Sequence, residues 1–230
     1  MKAKRFEVAK LSLNGNPNIG VYIYASEDYA LVPPGTEEKA KQLIAEVLAV
    51  ERVGEITLLS TRLLGVLLAG NKNGLLLPRM VTEEEQKRVK EIVGDVNVAV
   101  LKAKENALGN LLASNSKAAV VYPYMDQEAL RVVRDTLEVE VVKTTVCGSS
   151  VVGSVVVVTD RGGLVCPEAS DEEVKSLQDL FGVPLMQGTV NFGVSLIRVG
   201  LVANSKGALV GEETTGPEIA RIQTALGGGT

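Results

Sequence analysis

A phrase of about 45 residues recurs five times along this chain, and that repetition constrains the fold more than any other feature. The phrase is a Gly, a short apolar run, a polar turn, a second apolar run and a closing Pro. Its second copy reads Gly65-Val66-Leu67-Leu68-Ala69-Gly70-Asn71-Lys72-Asn73-Gly74-Leu75-Leu76-Leu77-Pro78. The others run Gly20 to Pro33, Gly109 to Pro123, Gly153 to Pro167, and through Asn204-Ser205-Lys206-Gly207 to Gly211, where the Pro is replaced. The closing residues at 33, 78, 123, 167 and 211 step by 45, 45, 44 and 44. The opening glycines at 20, 65, 109 and 153 step by 45, 44 and 44. Two independent markers therefore share one period.

Each copy carries the same physical parts. Asn-Lys-Asn-Gly and its relatives tolerate positive φ, so the flanking apolar runs are expected to fold back as a β-hairpin. The runs are nearly continuous in Val and Leu, as in strands covered on both faces. The Pro stops the second strand and leads into a helix. Thr82 with Glu85, Ser170 with Glu173 and Thr215 with Glu218 have capping-box spacing, Asp126 can cap the third helix, and Pro217 fits a first helical turn. Helices are expected near 37–49, 83–93, 127–137, 171–181 and 216–226, with third strands at 56–59, 96–101, 139–142 and 183–187. The fifth unit lacks a third strand, whereas Phe6–Leu13 is a spare one. Joining the two closes the ring and removes exposed sheet edges. The expectation is α/β: a five-bladed α/β propeller forming one domain over residues 1–230. Its repeats span about 14–60, 61–104, 105–147, 148–190 and 191–227, the last completed by 1–13.

Composition narrows function. The 230 residues carry a net charge of −4, whereas a protein gripping nucleic acid through phosphates shows a basic excess. Extensive RNA or DNA binding is disfavoured, and a basic protein partner fits better. Cys147 and Cys166 alone make neither a disulfide framework nor a structural zinc site, and lying beside strand-like runs they read as apolar packing. Met1–Phe6 lacks the apolar stretch of a signal peptide, and no segment approaches the ~20 apolar residues of a membrane span, so a cytoplasmic protein is expected. Gly228-Gly229 reads as a frayed tail.

The chain contains no histidine. Five-bladed α/β propellers include amidino-group enzymes that pair a nucleophilic Cys with a His, and here the usual base for activating a thiol is missing. No phosphate-cradling G-x-x-x-x-G-K-[ST] loop occurs either. No catalytic, cofactor-binding or metal-ligating residues are expected, and the chain reads as a binding protein rather than an enzyme. The segments leading into each unit differ from one another, and pseudosymmetry gathers them on one face: Asn16–Ile19, Thr61–Leu64, Glu105–Leu108, Gly148–Val152 and Gly188–Phe192. Rich in Asn, Ser and Thr with a few apolar tips, that face suits either a flat protein contact or no more than well-capped turns.

Several phrases occur in one order and in phase with the repeats. Gly70-Asn71-Lys72-Asn73-Gly74-Leu75-Leu76-Leu77-Pro78, Ala107-Leu108-Gly109-Asn110, Gly162-Gly163-Leu164-Val165-Cys166-Pro167 and Gly188-Thr189-Val190-Asn191 resemble the translation initiation factor 6 family. The phrases Ala203–Gly211 and Thr214-Thr215-Gly216-Pro217-Glu218 resemble its archaeal branch. The resemblance implies a pentein-like propeller that binds the large ribosomal subunit, chiefly through a ribosomal protein beside the sarcin–ricin loop. By occlusion it would block joining of the small subunit, with a further role in large-subunit maturation. It implies little direct RNA contact, no membrane and a monomer when free. Carried over, the docking residues are Asn110 first, with Asn18, Gly20, Arg62, Leu64, Gly65, Val66, Asn106, Leu108, Ser150, Val151, Asn191 and Phe192. Phe192 departs from the Arg found there in many relatives, so its contact would be apolar. The alternatives are an amidine-processing enzyme of the same fold and a repeat scaffold for another cytosolic partner.

Overall fold

The computed structural model describes residues 6–228, so expectations for Met1–Arg5 and for Gly229 lie outside it. Five three-stranded sheets stand around an axis. In the second unit the inner strand Ala69–Gly70 pairs antiparallel with the middle strand Gly74–Pro78. The middle strand pairs parallel with the outer strand Asn97–Leu101, and the helix Glu83–Val93 makes the crossover. The fifth sheet takes its outer strand from the other end of the chain: Glu7–Leu11 pairs parallel with Gly207–Gly211, Glu7 opposite Gly207 and Leu11 opposite Gly211. The ring closes as expected.

The middle strands explain why their sequences are apolar without a break. Successive side chains point to opposite faces. Leu75 and Leu77 pack into the core beneath their own helix, while Leu76 packs into the core of the third unit. Ala119 and Val121 face that same core, while Ala118 and Val120 face the fourth unit's. Each of the five cores is thus shared between one unit's helix and the preceding unit's sheet. Burying one such Leu or Val stabilises by about 1.5–3 kcal/mol, and no unit could collect this without its neighbour.

Sequence expectations hold for the long helices, with Gln127–Leu137 and Asp171–Phe181 at the expected bounds. Thr82–Glu85 and Ser170–Glu173 form reciprocal capping boxes, and Asp126 caps its helix by accepting from the Ala129 N–H at 2.8 Å. Three expectations need correction. The opening glycines do not begin strands; each lies in a one-turn helix (Ile19–Tyr22, Leu64–Leu67, Leu108–Leu111, Val152–Val155, with Ile197–Gly200 in the fifth unit). The first unit's outer strand is Arg52–Glu55 rather than 56–59, because parallel pairing sets Tyr29 opposite Arg52 and Val32 opposite Glu55. Ile56 and Leu58 are apolar because they pack under the second unit. Gly228 is the left-handed cap of the final helix (φ +84°) and not a frayed end.

The one-turn helices touch in a closed ring, each against the next. Glycine is required there: a Cβ on Gly109 would sit 2.0 Å from the Gly65 carbonyl oxygen. At the opposite edge, buried asparagines latch unit to unit. Asn71 Nδ2 donates to Asn115 O and Leu137 O, both at 2.9 Å. Asn115 repeats this on Thr159 O (3.3 Å) and Phe181 O (3.0 Å). Asn204 does so on Ser26 O (3.0 Å) and Leu48 O (2.8 Å), joining the last unit to the first. Each latch satisfies a helix C-terminal carbonyl that would otherwise lack a partner.

Candidate interaction face

Because each outer strand runs parallel to its middle strand, both end at the same edge of the sheet. The segments leading into the next unit and the loops into the long helices therefore share one face, and the hairpin turns and helix C-termini occupy the other. Asn106 Nδ2 donating to Met80 Sδ (3.5 Å) links two such segments directly.

Four lead-ins make tight turns in left-handed backbone: Asn14-Gly15, Leu59-Ser60, Cys147-Gly148 and Asn191-Phe192-Gly193. Asn-Gly adopts this geometry readily, but Leu59 (φ +53°) and Phe192 (φ +61°) do so at a steric cost of about 1–2 kcal/mol each. Capping glutamates hold three of these turns. Glu85 accepts from the Leu59 N–H at 2.7 Å, and Glu173 from the Cys147 N–H at 3.0 Å. Glu218 accepts from the Phe192 N–H (3.2 Å), the Gly193 N–H (2.9 Å) and the Thr189 hydroxyl (2.7 Å). Burial alone would raise the Glu218 carboxyl. Donors from Thr215, Thr189 and Gly193 outweigh it and hold the group at about 2. One carboxylate thus caps a helix and fixes a turn on the face.

Cys147 and Cys166 are paired as a disulfide with Cα atoms 6.9 Å apart, which corrects the expectation of simple apolar packing. They are 19 positions apart in sequence, and the turn beyond the third unit's outer strand brings Cys147 to the end of the fourth unit's middle strand. Among the described residues no free thiol remains.

The expected docking residues divide by burial. Gly20, Leu64, Gly65 and Leu108 are buried in the ring of one-turn helices and present no side chain to a partner. Asn191 is buried too: its N–H donates to Thr214 Oγ1 and its Nδ2 to Pro17 O (3.0 Å), tying the fifth lead-in to the first. Arg62, Ser150, Val151 and Phe192 are exposed, and Asn18, Val66, Asn106 and Asn110 are partly so. Sequence reasoning missed Met80 and Tyr124, which are 61% and 80% exposed beside Phe192 at 81%, and also Leu196, whereas exposed Leu63 lies in the expected segment Thr61–Leu64. The signal available was that the residues just after the closing Pro differ in every unit. Every large apolar side chain that is exposed among the described residues lies on this face. Its charge is divided: Arg62, Arg79, Lys102 and Lys104 are exposed around the second and third units, and Glu168, Glu212 and Glu213 around the fourth and fifth.

Comparison with known proteins bears on the fold and the family. The N-terminal domain of ArgZ, a cyanobacterial arginine dihydrolase solved with substrate bound, superposes with a TM-score of 0.53 over 82% of this chain and 76% of that one at 10% identity, a likeness of fold alone. Translation initiation factor 6 of Aeropyrum pernix is 53% identical over 97% of each chain. Translation initiation factor 6 of Staphylothermus marinus is 43% identical over 97% of this chain and 99% of its own. Residues 8–225 match the family described as the eIF-6 family, and the chain belongs to it.

Proposed function

We propose that this protein binds the large ribosomal subunit through the face of lead-in turns and thereby blocks joining of the small subunit. Two things support the reading: its relatives are named translation initiation factors, and its exposed apolar side chains gather on that one face. Phe192, Tyr124 and Met80 are the apolar anchors, and Asn110, Asn106, Asn18, Val66, Arg62, Ser150 and Val151 complete the contact. The acidic sector of Glu168, Glu212 and Glu213 suits a basic ribosomal protein, which in this reading is the one beside the sarcin–ricin loop. Contact with RNA is confined to the sector of Arg62, Arg79, Lys102 and Lys104. Occlusion needs no chemistry, in keeping with a chain that has no histidine and whose cysteines are paired. The protein acts in the cytoplasm as a one-domain monomer, with a second role in maturing the large subunit.

The test is sedimentation of the purified protein with archaeal subunits on sucrose gradients. Comigration with the large subunit alone, and fewer joined ribosomes, is expected. Phe192→Asp and Asn110→Arg should each lower retention at least tenfold while leaving the thermal midpoint within a few degrees. Full retention by both variants would refute the face, and failure of the native protein to comigrate would refute the function.

A further inference from the structure

The axis of the ring is a blind channel. Its mouth lies among the hairpin turns, on the face away from the lead-in segments, between Lys72, Asp160 and Glu27. Below the mouth a cavity of about 70 Å³ runs down to the ring of one-turn helices, walled mainly by the inner strands. The two spaces share Ala25, Gly70, Ser114, Val158 and Ala203, so they are continuous.

One residue breaks the pseudosymmetry at the floor. The second position of the one-turn helix is Gly20, Gly65, Gly109 and Gly153 in the first four units and Arg198 in the fifth. The backbone equivalence is direct. A Cβ on Gly65 would strike the Gly20 carbonyl oxygen, and one on Gly20 would strike that of Arg198. The Arg198 side chain crosses the channel to the second unit, where Nε donates to Gly65 O at 3.2 Å and Nη2 to Leu68 O at 3.4 Å. A guanidinium has five N–H donors, so three remain unused.

No carboxylate lines this cavity, and Arg198 makes no salt bridge with any described residue. Asp160 and Glu27, at the mouth, are engaged by Ser116 N–H and Lys72 and by Ser205 N–H. Tyr24 also lines the cavity, but its side chain packs in the core shared by the first two units, and its hydroxyl is sealed from the cavity beside the Tyr29 hydroxyl. Burial lowers the basicity of Arg198, but a guanidinium is basic enough to stay charged all the same. The guanidinium is part-buried and open only to the channel, and a charge held there without a counter-charge favours an accompanying ion of opposite sign.

We infer that the channel floor is a binding site for one small inorganic anion, chloride or a compact oxyanion, held by the unused N–H groups of Arg198. The cavity is large enough for such an ion with a water or two and too small for an organic substrate. Access is from the hairpin side, so the site stays open when the opposite face is covered. The inference does not depend on the proposed function.

Two measurements test it. Crystals of the native protein soaked in sodium bromide should give an anomalous peak within roughly 3.5 Å of the Arg198 guanidinium, the contact range of a charge-assisted hydrogen bond to a larger halide. In solution, thermal unfolding is followed in chloride, in phosphate and in gluconate at equal ionic strength, gluconate being too large to enter. The native midpoint should rise by roughly 5 °C in whichever small anion binds, once that ion is well above its Kd. The rise should be absent in Arg198→Met. A chloride-only response identifies a halide site, and a response favouring phosphate identifies an oxyanion site. Water alone at the floor of the bromide-soaked crystal would overturn the inference even if Arg198→Met failed to fold. So would an equal response of native protein and Arg198→Met to all three anions.

Discussion

Replacing Asn115 with alanine tests what holds the ring shut. The side chain is 4% exposed and makes four hydrogen bonds. Its Nδ2 donates across the joint to Thr159 O (3.3 Å) and Phe181 O (3.0 Å), and its Oδ1 accepts from the Lys117 and Ala118 N–H groups at 3.0 and 3.1 Å. Alanine removes all four and leaves two carbonyls and two amides without partners. Each buried group stripped of its partner costs about 1–3 kcal/mol, but Asn115 lines the mouth of the channel, so water can re-satisfy part of the set. A net loss of about 3 kcal/mol follows, a fall of roughly 6–12 °C in the midpoint of a chain this long. Urea denaturation gives the free energy and calorimetry the midpoint. Asn115→Asp separates hydrogen bonding from shape. Its carboxylate still accepts from Lys117 and Ala118 but faces the Thr159 and Phe181 carbonyls with negative charge and no donor, which raises its folded pKa above the ordinary Asp range. Its destabilisation should therefore be full above the raised folded pKa and shrink as pH falls from there to about 4, since the protonated acid can donate once. A loss below about 0.5 kcal/mol in Asn115→Ala, or a pH-independent deficit in Asn115→Asp, would refute the latch and leave the shared cores as the only tie between units.

Glu218 carries the opposite pH sign. Its carboxyl lies at about 2 in the folded protein, below its unfolded value, so its contribution is present above about pH 4.5 and is lost as pH falls toward 2. Because the group is only partly buried, the contribution is about 1–2 kcal/mol; Glu218→Gln should be less stable by that amount at pH 7, and acid unfolding curves of the two proteins should converge near pH 2. Reducing the Cys147–Cys166 bond releases a loop of 19 residues, and the chain-entropy treatment gives a loss of about 3 kcal/mol. Thiol titration before and after reductant checks the pairing, and calorimetry checks the size. Gly109→Ala places a methyl group 2.0 Å from Gly65 O and 2.8 Å from Leu68 O, so about 3 kcal/mol or more is expected. Gly15→Ala, with open space but φ +76°, should cost only about 1 kcal/mol in the same assay.

The architecture was legible because its signals repeat. A single Asn-Lys-Asn-Gly turn predicts a hairpin weakly, but five in phase predict a ring, and the spare strand at Phe6–Leu13 needed only a partner to close it. What was missed lies where a signal is short or long-range. A four-residue helix has barely one period, so Leu64–Leu67 within an apolar run is indistinguishable from strand. That is why Gly20, Gly65 and their helix neighbours were placed on the docking face when they pack beneath it. The pairing of Cys147 with Cys166 depends on a turn whose geometry comes from Glu173, far along the chain. Met80 and Tyr124 are visible as exposed only once the loops after the closing prolines are known to share a face with the lead-in segments. Arg198 was hidden for a related reason: a residue standing where four glycines stand matters only once those glycines are seen to touch.

The distribution of these features around the ring has a physical logic. An asymmetric partner, such as the ribosomal surface proposed above, cannot be matched by five identical blades, so the residues that differ between units must sit where they do not disturb what the units share. The shared elements are the alternating cores, the glycine contacts and the asparagine latches, and the latches lie at the hairpin edge, away from the variable turns. The turns can then carry Leu59 or Phe192 in backbone that such residues disfavour, because the capping glutamates hold each turn to a helix already fixed by its neighbours. Strain on the face is offset by order in the scaffold. A contact made there loses little conformational entropy, since the turns are set before the partner arrives.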